Sequence, residues 1–180
     1  MKQERKSINW RSNMLNWLKA LLGRKEMDMN TIIKRLEFHE SCVLKPYYCP
    51  TGHLTIGIGH NIEARPFTEE ERKAIGDWKQ GITKNMAYMI CRNDVNLCLE
   101  KLKTLDFWKS LDEERQYALI DLCFQLGWVG LKKFKKMLKA MSEKDFKTAS
   151  EQCLDSTYAK QTPKRAKRIA NLIKTGVWEI

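Results

Sequence analysis

Glu40, Cys49 and Thr55 stand within one short stretch, where a helical pattern of apolar residues gives way to turns, β-branched residues and glycines. A carboxylic acid can protonate a leaving group, a thiol can activate or receive a group, and a hydroxyl can hold a water. Those are parts suited to glycoside hydrolysis. Spacing alone does not single out that chemistry, because a glutamate at a helix end is ordinarily a solvated charge and a threonine in a strand ordinarily serves β-propensity. Cys49 with His53 or His60 offers a second combination, a cysteine–histidine hydrolase, for which only the residue types speak. The cysteines at 42, 49, 91, 98, 123 and 153 include no CxxC pair, and His39, His53 and His60 form no paired metal signature. No metal site and no cofactor are therefore expected. Cys91 and Cys98 fall seven apart in an apparent helix, about 10 Å along its axis and out of bridging range. Most of the cysteines read as small buried residues of a reduced protein.

The elements that must position these residues follow from local signals. Ile32, Ile33 and Leu36 predict a helix from Met29 to Glu40. Tyr47-Tyr48, the turn Pro50-Thr51-Gly52 and the run Leu54 to Gly59 predict a small hairpin. Thr68 followed by Glu71 has the capping-box spacing, and Thr83 is placed to cap a long helix running to about Leu105. Asp112 opens a further helix through Leu126 that Gly127 ends, while Ser142 and Thr162-Pro163 announce two late helices, the last stopped by Gly176. The result is a mainly helical α+β fold with a small sheet-bearing lobe and a helical lobe, a long helix bridging them and a cleft between them. Residues 29–82 would form the small lobe, 83–105 the connecting helix and 106–180 the helical lobe.

The chain of 180 residues carries 33 Lys+Arg against 22 Asp+Glu, a formal charge of +11, with 43% hydrophobic residues. Such a composition excludes wholesale disorder, and no run of apolar residues is long enough for an ordinary transmembrane helix. The positive charge should draw a polyanion, whether nucleic acid, an anionic membrane or a wall polymer. Residues 1–28 read as a basic amphipathic extension: Trp10, Met14, Trp17, Leu18 and Leu21 recur at helical spacing among lysines and arginines. Residues 8–22 could lie on an anionic membrane face, act as a weak export or anchoring signal, or pack on the domain. Their apolar run is too brief and interrupted for a convincing signal peptide.

The run from Glu40 through Cys49-Pro-Thr-Gly-His-Leu-Thr55-Ile-Gly-Ile-Gly-His60 resembles the catalytic signature of tailed-phage lysozymes of the T-even type, glycoside hydrolase family 24. The resemblance continues through Lys73-Ala-Ile-Gly76, Ile82-Thr-Lys84, Asn93-Asp-Val95, Phe124-Gln-Leu-Gly127, Gln161 to Arg168 and Thr175-Gly-Val-Trp178, with order and spacing kept from about Met29 onward. It implies a phage-lysozyme-like two-lobed fold. It also implies a muramidase, an endolysin that cuts the β-1,4 bond between N-acetylmuramic acid and N-acetylglucosamine in peptidoglycan.

By the same resemblance Glu40 matches the acid that protonates the glycosidic oxygen and Thr55 a threonine that orients the attacking water. His60 and Asp94 match a buried ion pair, Arg165 an arginine that pairs with the catalytic glutamate, and Gln125 a residue lining the cleft. Tyr158 could pack in the core or line the cleft; Trp108, Trp128 and Trp178 read as packing residues. Two positions depart from the pattern. Cys49 stands where the family usually has its catalytic aspartate, and His39 where an acidic residue commonly precedes the glutamate. Cys49 could act as a thiolate that activates water, as a nucleophile, or not at all. A lytic transglycosylase using Glu40 alone and an inactive wall-binding protein are the competing readings. A monomer with no specific nucleic-acid partner is expected, waiting in the host cytoplasm until release and then acting on the wall in the periplasm, with peripheral membrane contact open to residues 8–22.

Overall fold

A computed structural model describes residues 28–179. The amphipathic extension, and with it the membrane contact considered for residues 8–22, lies outside the described residues. Helix α1, Met29–Glu40, starts where the Asp28 carboxylate accepts the Thr31 amide at 3.2 Å. Its face of Ile32, Ile33 and Leu36 is buried, and the chain leaves the helix at Ser41 through a left-handed φ of 63°. That exit puts Glu40 at the last helical position, turned toward the sheet.

The sheet has three antiparallel strands in the order β1, β2, β3: Val43–Tyr48, Leu54–Gly57 and His60–Asn61. Tyr47 faces Thr55 and Tyr48 faces Leu54, with an irregularity between Val43 and Tyr47. Pro46 falls inside that irregularity, where its missing donor is tolerated. The third strand adds to the expected hairpin. Gly57 and Gly59 take left-handed φ values of 67° and 64°, which reverses the chain at once and pairs His60 with Ile56 and Asn61 with Thr55.

Helix α2, Glu69–Ile75, begins with the capping box of Thr68 and Glu71, and α3, Lys84–Leu102, with Thr83 accepting the Met86 amide. Ala87 and Ile90 of α3 pack with Ile56, Phe67, Ile75 and Ile82 in the smaller apolar core. Cys91, Val95 and Leu102 of the same helix join the larger one. One helix thus contributes to both cores, so neither can move freely without disturbing its packing.

Helix α4, Glu113–Leu131, is broken at Gly127, whose φ of 68° and ψ of 165° end the regular helix there. Then follow α5 (Lys135–Ser142), α6 (Phe146–Leu154), α7 (Thr157–Gln161) and α8 (Pro163–Thr175), the last stopped by left-handed Gly176. Ser142 closes α5 rather than opening a helix. Its hydroxyl donates to the Lys139 carbonyl at 2.6 Å, and Asp145, three residues on, caps α6 by accepting the Thr148 amide. Trp108 is buried, and Trp128 and Trp178 pack against the larger core. All six cysteines are unbridged, with Cys91, Cys123 and Cys153 buried and Cys42, Cys49 and Cys98 half-buried.

Candidate active site

Glu40 enters the site from the end of α1 with its side chain 23% exposed. Two close neighbours fix its carboxyl. Arg165, in the first turn of α8, donates from one terminal nitrogen to Glu40 Oε1. On the other side the backbone of Gly59 is so near that an added Cβ would stand 3.0 Å from Glu40 Cδ and 3.1 Å from Oε2. The glycine therefore meets two demands at once, a left-handed backbone and room for the acid.

Cys49 follows β1 directly. Its amide donates to the His53 carbonyl at 2.9 Å, its own carbonyl accepts the Gly52 amide at 2.8 Å, and its sulfur lies 3.0 Å from the Thr51 hydroxyl. Hydrogen bonding from Thr51, opposed by slight burial and aided by His53 and Thr55, brings the Cys49 thiol down to about 7. Thr55, buried on β2, donates its hydroxyl hydrogen to the His53 carbonyl at 2.9 Å, which leaves its oxygen free to accept. The Tyr47 phenol is pushed up by burial and then by the charges of Glu40 and Cys49. A carboxyl and a thiol that ionises near neutrality are thus both present, groups able to give a proton and take one. His53, by contrast, points its Nδ1 to the exposed Glu63 at 3.0 Å, so the structure does not pair it with Cys49 as a catalytic base.

His60 and Asp94 lie apart from this centre. His60 Nδ1 meets Asp94 Oδ2 at 2.8 Å and its ring stacks on Phe67 at 4.9 Å. Arg65 donates to the other oxygen of Asp94 and, through both terminal nitrogens, to Glu71 at 2.8 and 2.9 Å. The sequence offered Glu71 as a helix cap and gave no sign of Arg65. On the helical side Gln125 Oε1 and the Tyr158 hydroxyl, both buried, meet no hydrogen-bond partner among the described residues. Tyr158 borders a groove of about 710 Å³ together with Phe134, Met137, Lys136 and Gln161.

Behind Glu40 sits a buried polar group that sequence reasoning did not single out. Asp121, on α4 and fully buried, accepts the Arg165 Nε and second terminal nitrogen at 2.9 and 3.1 Å. A lone carboxylate in the run Tyr117-Ala-Leu-Ile-Asp-Leu-Cys123 was the available signal, since a buried charge needs a partner. His39 packs beside it, its Nε2 3.9 Å from Asp121 Oδ2 and its ring edge-on to Trp178. Burial, with Arg165 and Arg168 adding to it against Glu40, lowers His39 to about 4. The folded protein therefore resists protonating His39 while the unfolded chain accepts a proton near 6.5. Stability due to this residue is present above that value and lost as pH falls toward 4, in total about 3 kcal/mol. Urea unfolding at pH 7 and pH 4 should show that loss in the wild type and a loss smaller by about this amount in His39→Gln; equal losses in both would exclude His39 as the source.

A family model described as phage lysozyme matches residues 37–174. The chain is 31% identical to a protein named probable T4-type lysozyme 1 of Dictyostelium discoideum, over 82% of this chain and 96% of that one. It is 29% identical to probable T4-type lysozyme 2 of the same organism, over 78% and 92% of the two chains. The pre-baseplate central spike protein Gp5 of Enterobacteria phage T4 matches at 29% identity over 83% of this chain, which corresponds to 28% of the spike protein. The family match runs from three residues before Glu40 to the last turn of α8, and so takes in the end of α1, the sheet, the helix common to both cores and Arg165. The chain belongs to the phage lysozyme family, glycoside hydrolases that act on peptidoglycan.

Proposed function

We propose that Glu40 is the general acid of a muramidase that hydrolyses the β-1,4 bond between N-acetylmuramic acid and N-acetylglucosamine, with Cys49 and Thr55 holding and activating the attacking water. The observation that carries this reading is the half-open Glu40 carboxyl, pinned by Arg165 on one side and Gly59 on the other. In the reaction Glu40 gives its proton to the leaving glycosidic oxygen. The Cys49 thiolate takes a proton from the water as its oxygen bonds to the anomeric carbon, and Thr55 accepts a hydrogen bond from that water. One water is consumed, and the proton on sulfur returns to solvent while Glu40 is reloaded. A base with its own pKa near 7 is matched to work at neutral pH. Gln125 and Tyr158, whose side-chain oxygens are buried, support the helical wall of the cleft from behind. His60 and Asp94 serve the frame, tying β3 to α3. On this reading the protein acts on the wall, on the periplasmic side of the host membrane, as a monomer.

Cys49 in place of an aspartate also supports a second reading, lytic transglycosylation, in which Glu40 works alone and a sugar hydroxyl attacks. Mass spectrometry of digested peptidoglycan separates the two: reducing ends support hydrolysis, and 1,6-anhydro ends overturn it. Variants then test the base. Cys49→Asp should keep or raise activity and move the acid limb of the pH–rate profile from near 7 to about 4, the ordinary range of an aspartate. Cys49→Ser should lose a factor of about 10² or more. A dead Cys49→Asp beside a fully active Cys49→Ser would remove the base from position 49.

A further inference from the structure

We propose that Asp121 is a positioning residue for the proton donor: by holding two of the three guanidinium nitrogens of Arg165, it aims the third at Glu40 and shares the arginine's charge with that acid. The proposal rests on the reading of Glu40 as the acid.

An unneutralised guanidinium at hydrogen-bond distance favours the ionised form of a carboxyl group, the wrong form for a proton donor. Asp121 sets a second carboxylate against the same guanidinium. Asp121 takes Nε at 2.9 Å and one terminal nitrogen at 3.1 Å, side-on and fully out of solvent, so only the other terminal nitrogen remains for Glu40. Bidentate pairing fixes the plane of the guanidinium as well as its place. The contact joins α4 to α8, and Tyr117, one turn earlier on α4, donates to Asp121 Oδ2 at 3.4 Å.

Among the described residues few other charges face this pair. From α1 comes His39, which burial keeps neutral near pH 7. Tyr117 on α4, Tyr158 on α7 and Tyr47 on β1 are phenols whose ionisation burial opposes, as it opposes that of the Cys91 thiol on α3. Arg168, one turn after Arg165 on α8, lies over the Phe38 ring at 4.8 Å and adds positive charge. Burial pushes the Asp121 carboxyl up while Arg165, Tyr117 and Arg168 pull it down, so its charge depends on the bidentate Arg165 contact at 2.9 and 3.1 Å; it is the carboxylate of the cluster set against two arginines. In the family pattern an acidic residue commonly stands at position 39, where this chain has histidine. The two positions adjoin, with His39 Nε2 3.9 Å from Asp121 Oδ2, so the anion can be supplied from either helix.

The test is the pH dependence of lysis of purified cell walls by wild type, Asp121→Asn and the double variant His39→Glu/Asp121→Asn. A glutamate reaches as many atoms beyond Cβ as the histidine does to Nε2, so the double variant returns a carboxylate to Arg165 from α1. In Asp121→Asn the alkaline limb should move down by about one pH unit, since an uncompensated arginine lowers a neighbouring acid by that much or more. On the alkaline side of the limb the rate should fall about tenfold with the half-saturating wall concentration changed less than twofold. The double variant should recover the wild-type limb. A purely structural role would lower the rate at every pH and leave the limb in place, and that result overturns the proposal, as does a double variant whose limb stays displaced. If Asp121→Asn does not fold, the double variant decides by its limb alone; if neither folds, the anion serves the fold rather than the acid, and the proposal fails. Glu40→Gln is assayed alongside: lysis by that variant would remove the acid itself, a failure separate from any result at position 121.

Discussion

Glu40→Gln is expected to reduce cell-wall lysis by a factor of about 10³ while leaving the melting temperature within about 2 °C of wild type. The loss follows from the leaving group. A sugar alkoxide departs poorly unless it is protonated as the bond breaks, and a positioned acid contributes about 10² to 10⁴ to such a step. Glutamine keeps the shape of the side chain and its carbonyl oxygen, so Arg165 can still donate to it and the close fit under Gly59 is undisturbed. Arg165 also keeps its two bonds to Asp121, so no charge is stranded in the core by the change. The measurement is the lysis rate beside thermal unfolding of the same preparation. Residual lysis within tenfold of wild type would take the acid role away from position 40. A loss of lysis that comes with a lowered melting temperature would instead mean that the substitution had damaged the frame.

Local rules reached most of the fold, and the reason lies in how helices start and stop. Asp112, Thr68 and Thr83 act on amides three residues away, and Gly127 and Gly176 act through their own backbone angles, so each signal is complete within a few residues. The third strand needed more. His60 and Asn61 pair with Ile56 and Thr55 only because Gly57 and Gly59 both turn left-handed, and two glycines in a β-branched run do not announce that by themselves. Ser142 misled for a related reason. Its hydroxyl can bond backward to a carbonyl as readily as forward to an amide, and the left-handed Lys144 hands the cap to Asp145.

The site was legible only where a motif spans it. Glu40 and Arg165 are 125 residues apart, and their contact depends on α8 packing across the end of α1, which no local pattern encodes. Resemblance to a family named them as partners; residue chemistry named Glu40, Cys49 and Thr55 without ranking the chemistry they could do. Asp121 escaped because its partner is 44 residues away and its neighbours in sequence are apolar, so it read as one polar residue in a core helix. The low value of the Cys49 thiol comes instead from a local turn that bends Thr51 back onto the sulfur, a matter of side-chain geometry rather than of residue type.

The largest effect on stability is expected from Glu71→Ala, about 3 to 5 kcal/mol, or a melting temperature lower by about 10 °C. Glu71 is 2% exposed and its carboxylate takes four hydrogen bonds: two from Arg65 at 2.8 and 2.9 Å, one from the Asn93 amide at 2.8 Å and one from the Thr68 backbone at 2.9 Å. Burial opposes its charge, but Arg65, Asn93 and Thr68 outweigh it and hold the carboxyl at about 2. Alanine would leave the Arg65 guanidinium, whose side chain is 21% exposed, with Asp94 alone, and would undo the cap of α2. Because the folded value lies below the unfolded one, this stabilisation is complete above about pH 4.5 and fades as pH falls toward 2. Urea unfolding should therefore show the full gap between wild type and Glu71→Ala at pH 7 and at pH 5, and a much smaller one at pH 2.5. A gap under about 1 kcal/mol at pH 7, the size of an ordinary surface pair, would mean that the network is not needed to hold the small core together. Lysis at 25 °C should stay within threefold of wild type, since Glu71 bonds to Arg65, Asn93 and Thr68 and none of these bonds to Glu40, Cys49 or Thr55. That contrast with Glu40→Gln separates the two clusters by function: one spends a buried arginine on aiming an acid, the other spends a buried acid on fastening β3 and α2 to the helix that both cores share.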